Sequence, residues 1–233
     1  MEYVHYVGLM AITLSLLLAF GPLIRSRLHP HTMQVSSFGG GVAIAYVFLI
    51  LFPEVEHSRE LLGTSVHVIT VLSLLVFFAL EHGLSRLNAF DGSLHQGHHN
   101  TARFWFHIAI IWIYTWLVMF TVPEDAADNL VYVLAASATI GVHLLYKDYV
   151  LRGHYDGRFE QPGRFVLALA PIAGAISHQI IKPTDGTQEI MIAILAGILI
   201  QSVFQDELPP VERMSYGWLV GGVAIMAGLS LFA

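Results

Sequence analysis

Eight apolar runs, each close to 20 residues long, limit what this chain can fold into more tightly than any single motif. They cover Tyr3–Ile24, Met33–Phe52, Thr64–Leu87, Ala102–Val122, Leu130–Leu151, Arg164–Ile181, Glu189–Leu208 and Tyr216–Phe232. A helix rises about 1.5 Å per residue, so about 20 apolar residues cross a hydrocarbon core of about 30 Å. The connections are short and hold residues that stop helices: Pro30, Pro53, Asp91-Gly92, Gly97, Pro123, Gly153, Gly157, Pro162, Gly163, Pro183, Gly186 and Pro209-Pro210. They leave no room for a separate soluble domain. The first run begins beside Met1 without a basic n-region, which reads as a span rather than a signal peptide. The expectation is an all-α polytopic membrane protein of eight transmembrane helices, with residues 1–233 forming one domain and the lipid bilayer as its partner.

Composition narrows the function classes. Charged residues make up 12% of the chain, against about 25% in a soluble domain. There is no cysteine, which excludes a disulfide scaffold, a cysteine zinc module and a thiol nucleophile. A net charge of −6 without a basic block argues against nucleic acid as a partner. The eleven basic residues divide unevenly. Arg25, Arg27, Arg86, Arg103, Lys147, Arg152, Arg158, Arg164 and Arg213 fall in or beside loops 1–2, 3–4, 5–6 and 7–8; only Arg59 and Lys182 fall in the others. Loop 4–5 is acidic, with Glu124, Asp125 and Asp128. The positive-inside rule makes loops 1–2, 3–4, 5–6 and 7–8 cytoplasmic, puts both termini outside and favours the plasma (inner) membrane.

A shift of 156 residues lays the second run on the seventh. Gly41, Ile44, Val47, Phe48, Pro53, Val55 and Glu56 meet Gly197, Ile200, Val203, Phe204, Pro209, Val211 and Glu212, seven identities in sixteen columns. Apolar helices share Val, Ile and Phe by chance; the Gly, the Pro twelve residues on and the Glu three beyond carry more weight. Span two runs outward and span seven inward, so the repeat is inverted: a 3+2+3 layout with halves near 1–87 and 163–233 and linking helices over 102–151. Such repeats are characteristic of secondary transporters.

Thirteen histidines are many for so apolar a chain. Nine lie in loops or at helix ends, and only His67, His107, His143 and His178 fall within spans. Toward the cytoplasmic side lie His107, then His143, Lys147 and Asp148, then Glu81 and His82, then Gln201, Gln205, Asp206 and Glu207. Imidazole and carboxylate suit zinc and its neighbours, so His143 and His107 are candidate ligands with Asp148, Asp206 or Glu207 as charge compensation. The bland alternative is a pair of buried histidines bonded to backbone or to Tyr114 and Tyr146. Lys147, one turn from His143, reads either as a tethered cation paired with Asp206 or Glu207 or as a lysine reaching the inner interface. Gln201 and Gln205 share a helix face, an exit funnel or simply a helix end meeting water. His95, His98 and His99 form a loop cluster that can trap zinc weakly or remain a solvated loop. On the outer side Glu54, Glu56, His57, His67 and His178 could form a mouth; Glu54, Glu56 and His57 read rather as loop residues, which leaves His67 and His178 as the deeper and better pair. Gly39-Gly40-Gly41 reads as a close-packing device. The four tryptophans read as lipid or packing residues.

The segments Gly39–Glu56, Leu195–Glu212 and Gly217–Phe232 resemble the second, seventh and last helices of the ZIP (Zrt/Irt-like) family of divalent-metal transporters. Leu94–His99 ("LHQGHH") sits where that family carries its histidine loop. The resemblance implies the eight-helix fold, a divalent metal (Zn²⁺ first) as ligand, and no enzymatic activity. The motifs differ at helices four and five. Where the family has His-Asn-x-x-Asp and His-Glu-x-x-Glu, this chain has His107 without a carboxylate in its span, and His143 followed by Leu144 and, at i+4, Lys147. A second reading keeps the fold as a structural or sensory membrane protein, with a homodimer among its forms, in which Lys147 replaces the metal. An intramembrane zinc hydrolase ranks last, because no Ser–His pair or His-Glu-x-x-His helix is present.

Overall fold

The computed structural model describes the backbone of residues 2–21, 23, 32–90, 99–122, 130–155, 163–208, 212 and 214–231; side chains are described over a narrower set that omits, among others, 84–90, 99–103, 146–155 and 206–207. Every regular element among these is helical. The helices are α1 (Glu2–Ala19), α2 (Thr32–Tyr46, a π turn at Val47–Leu51, then Phe52–Leu62), α3 (Ser65–Phe90), α4 (His99–Phe120), α5 (Leu130–Tyr155), α6 (Arg164–Ile181), α7 (Asp185–Ser202, then a π turn at Val203–Glu207) and α8 (Tyr216–Ser230). Eight apolar runs thus give eight helices, with ends within a few residues of those read from sequence except at the end of α2.

Four stretches are long and apolar enough to cross a membrane: Met33–Leu62, Ser65–Gly83, Arg164–Ile181 and Asp185–Gln205. The apolar stretches described in the other four helices are shorter; Tyr216–Ser230 has 15 residues, about 22 Å of helix. Helix α3 has only 17% of its apolar window buried, and Val68, Val71, Leu72, Leu75, Val76 and Phe78 all lie on the surface. Water would penalise so continuous an apolar face, whereas lipid matches it.

The largest departure from the sequence expectation lies in α2. Pro53 does not end the helix; the chain continues through it to Leu62. An α-helix would require from Pro53 an N–H for the Leu49 carbonyl, and the ring would crowd that oxygen. The π turn just upstream re-spaces the bonding, with the Phe52 N–H reaching Val47 O, five residues back. Pro53 then occupies the first turn of the last segment, with Glu54 behind it, a placement that suits both residues. Residues 54, 56 and 57 are therefore helical rather than loop. At the matching place in α7 the chain stops: Leu208 is extended (φ −78°, ψ 115°), as steric pressure from the following proline requires.

The most extensive contacts are α2 with α8 and α3 with α7, followed by α4 with α6, α2 with α7 and α1 with α6, then α1 with α5. Exchanging α1 with α6, α2 with α7, α3 with α8 and α4 with α5 turns α2–α8 into α7–α3 and α4–α6 into α5–α1. It leaves α1–α6 and α2–α7 unchanged. Two glycines allow the tightest crossings. A Cβ on Gly41 would collide with the Leu219 carbonyl of α8, and one on Gly197 with Ser73 Oγ and the Thr70 carbonyl of α3. The core between the helices is largely apolar, built from Met10, Leu14, Val47, Met119, Leu144 and Leu167 among others.

Candidate functional site

Helices α2 and α7 each present polar side chains to the bundle, and these form two separate clusters. In the first, the last segment of α2 places Glu54 and Ser58 one turn apart. Ser58 is fully buried, its hydroxyl 2.9 Å from the Glu54 carbonyl oxygen and hydrogen-bonded to a carboxylate oxygen of Glu189 in the first turns of α7. Glu54 is half-buried and within electrostatic reach of His57 and Glu189. Its side chain also borders a cavity of about 40 Å³ shared with Tyr46, Thr121, Met10, Ile140 and Leu195, room for a water molecule. Five helices (α1, α2, α4, α5 and α7) meet there. Sequence reasoning set Glu54 aside as a loop residue and did not weigh Ser58 or Glu189. The signal that would have found them is Pro53-Glu54, a proline and an acid opening a helical turn, with Ser58 at i+4.

In the second cluster, Gln201 of α7 is 5% exposed and donates through Nε2 to Glu81 Oε2 of α3 at 3.1 Å and to Gln205 Oε1. Glu81 is half-buried and Gln205 exposed. The expectation that Gln201 and Gln205 share a face agrees with this contact.

The predicted histidines have different surroundings. His143 is buried in α5 with its ring centroid 5.1 Å from that of Tyr114 in α4. His107 is half-buried in α4, seven residues before Tyr114 and hence on the same helix face. His178 is buried, with Nδ1 2.7 Å from the Phe120 carbonyl oxygen, and Trp116 Nε1 donates to Ser177 at 3.1 Å. Both contacts bind α6 to α4. His67 is largely exposed, with Nε2 3.7 Å from Glu56 Oε2, while Glu56 also accepts from Arg59 at 2.7 Å. The side chains of Lys147, Asp148, Asp206, Glu207 and His99, and all of His95 and His98, lie outside the described residues. Among the described residues, no three His, Asp or Glu side chains come together to hold a metal ion.

No protein-family model matches the sequence, and no curated protein matches it either.

Proposed function

We propose that this chain is an integral membrane protein of ZIP-like, 3+2+3 inverted-repeat architecture that binds or translocates a divalent metal cation, Zn²⁺ first. The supporting observation is the coincidence of the two π turns. Val47–Leu51 and Val203–Glu207 are 156 residues apart, the offset at which the sequence of α2 matches that of α7. The exchange of packing partners between the two halves agrees with it. Inverted repeats whose helices break from regular geometry in mid-course are the framework of alternating-access carriers, and π turns recur at functional sites.

In this reading His143 and His107 are the imidazole ligands, and Asp148, Asp206 and Glu207 compensate charge. His95, His98 and His99 collect metal on the cytoplasmic side, and loops 1–2, 3–4, 5–6 and 7–8 face the cytoplasm of the plasma (inner) membrane. The test is ⁶⁵Zn²⁺ uptake into liposomes holding the purified chain. Uptake that falls at least about tenfold in His143→Ala, a loss of one ligand worth about 1.4 kcal/mol or more, is the expected result. Absence of uptake with wild type defeats the reading.

A second reading keeps the same fold without metal and puts Lys147, one turn from His143, in the metal's place. Elemental analysis of the purified protein separates the two. Stoichiometric zinc lost on His143→Ala supports the first, and metal-free protein the second.

A further inference from the structure

The last segment of α2, Phe52–Leu62, differs from the rest of the bundle in what holds it. Met33–Leu62 contains 30 residues, about 45 Å of helix, whereas about 20 residues cross the hydrocarbon. The apolar run ends at Phe52, and Glu54, Glu56, His57, Ser58, Arg59 and Glu60 follow. Only Val55 and Ser58 of this segment are buried, and Leu62 is partly buried against the core. Among the described residues, its side chains make two polar contacts with other helices. Ser58 bonds a carboxylate oxygen of Glu189 in α7, and Glu56 approaches His67 of α3 at 3.7 Å, both of these exposed. An exposed ion pair contributes little, so the Ser58–Glu189 bond is the principal polar tie. A helical segment with so little buried apolar surface belongs to the low-stability end of a structure.

Both ends of the segment are jointed. At its start the π turn Val47–Leu51 replaces regular bonding, and Pro53 has no N–H to give. At its end Gly63 has φ 60° and ψ −146°, a conformation open essentially to glycine. Hinges are a few element-terminal residues of this kind that absorb changes in φ and ψ. Behind the segment lies the cavity of about 40 Å³, walled on the α2 side by Tyr46, Ile50, Leu51 and Glu54 and on the α5 side by Ala136 and Ile140. Leu51 belongs to the π turn and Glu54 to the first turn of the segment. The segment cannot swing without opening that wall.

We propose that Phe52–Leu62 is a gate over the junction of α1, α2, α4, α5 and α7. The π turn with Pro53 is its hinge, Gly63 its second joint and Ser58–Glu189 its latch. With the latch made, the cavity has room for a water molecule. With the latch broken, the segment turns outward and admits larger solutes between the helices. Closure of a mobile segment over a buried space is a recurring way to control access. The gate is defined without reference to a cargo and does not rest on the metal-transport reading.

The chain contains no cysteine, so a single introduced thiol reports without background. Ala136→Cys places one on the cavity wall at a buried position, and Ala170→Cys places one in α6, buried and outside the cavity lining. The purified full chain in detergent is treated with a small charged methanethiosulfonate, larger than the closed cavity, and labelling is followed by intact mass. Ser58→Ala is expected to speed labelling at position 136 about tenfold, the order of one lost hydrogen bond in an opening equilibrium, and to leave position 170 unchanged. Ser58→Thr keeps the hydroxyl and stays near the wild-type rate. Should Ser58→Ala fail to fold, Glu189→Ala removes the same bond from a half-buried position, and the same acceleration is expected. Equal labelling at position 136 with and without the latch overturns the proposal. So does acceleration of both thiols together, which marks a general loosening of the bundle and not a gate. The assay contains no metal, so failure of the gate and failure of zinc uptake are told apart.

Discussion

Helix α2 reaches its π turn with an apolar face and becomes polar after it; helix α7 is polar before its π turn and ends there. At the offset of 156, Ala45 stands against Gln201, Leu49 against Gln205, Ile50 against Asp206 and Leu51 against Glu207. Past the turn the polarity reverses: Glu54 stands against Pro210 and Ser58 against Met214. The frame is shared, down to the glycine that admits a neighbouring helix and the π turn that follows. The chemistry placed on it is not. Each helix keeps one polar stretch that bonds a neighbouring helix and gives up the other. The Glu54–Ser58 stretch bonds the start of α7, and the Gln201–Gln205 stretch bonds α3. Two polar environments are thereby built from one backbone plan.

Breaking the shared frame has the largest expected effect. Gly41→Ala and Gly197→Ala each drive a methyl group into a neighbouring helix where the obstacle includes backbone, which cannot swing aside. Overpacking of this kind costs roughly 2–3 kcal/mol or more. Gly228→Ala meets open space and is expected to be neutral or slightly stabilising. Midpoints of denaturant-induced unfolding in mixed micelles rank the three. If Gly197→Ala behaves like Gly228→Ala while Gly41→Ala does not, the equivalence of α2 and α7 fails.

The next effect belongs to one helix alone. Ser58→Ala leaves a Glu189 oxygen without its donor inside the bundle, and about 1–3 kcal/mol is expected to be lost. Ser58→Thr keeps the hydroxyl and should lose less. In α7 the residue at the same offset is Met214, so Met214→Ala, lacking any such bond to break, should cost less than Ser58→Ala. Equal losses would mean that packing, rather than the hydrogen bond, sets the first value.

The eight helices were legible because apolar length is a one-dimensional property that the bilayer reads directly. The pairing of α2 with α7 was legible because Gly, Pro and Glu kept their spacing. The passage of α2 through Pro53 was not: proline ends most helices, and only the π turn upstream removes the conflict. With the helix taken to end there, Glu54 passed for a loop residue and the part-buried Glu54–Ser58–Glu189 contact went unseen. Ser58 and Glu189 are 131 residues apart, a separation no local pattern spans. Gln201 and Gln205 were legible because both lie on one turn of one helix. Their partner Glu81 was legible only as a group of similar depth, since depth follows from counting along spans and contact does not.

The smallest effect tests why the two helices part company at proline. Pro53 withholds an N–H that regular α bonding would use, and the π turn is the local answer. Pro53→Ala returns that N–H and gives back freedom to the unfolded chain, two changes of opposite sign and each below about 1 kcal/mol. The melting temperature is therefore expected to move by no more than about 4 °C. The informative readout is amide hydrogen exchange. With the donor restored, Val47–Leu51 can relax toward α bonding, and exchange there should slow. Pro209→Ala should leave exchange at Val203–Glu207 unchanged, because Pro210 still stops the helix one residue on. Slowing at both turns would mean that proline shapes each π turn alike and that α7 ends for another reason. No slowing at Val47–Leu51 would mean that the packing of Val47 and Leu51, both buried, holds the turn without help from Pro53.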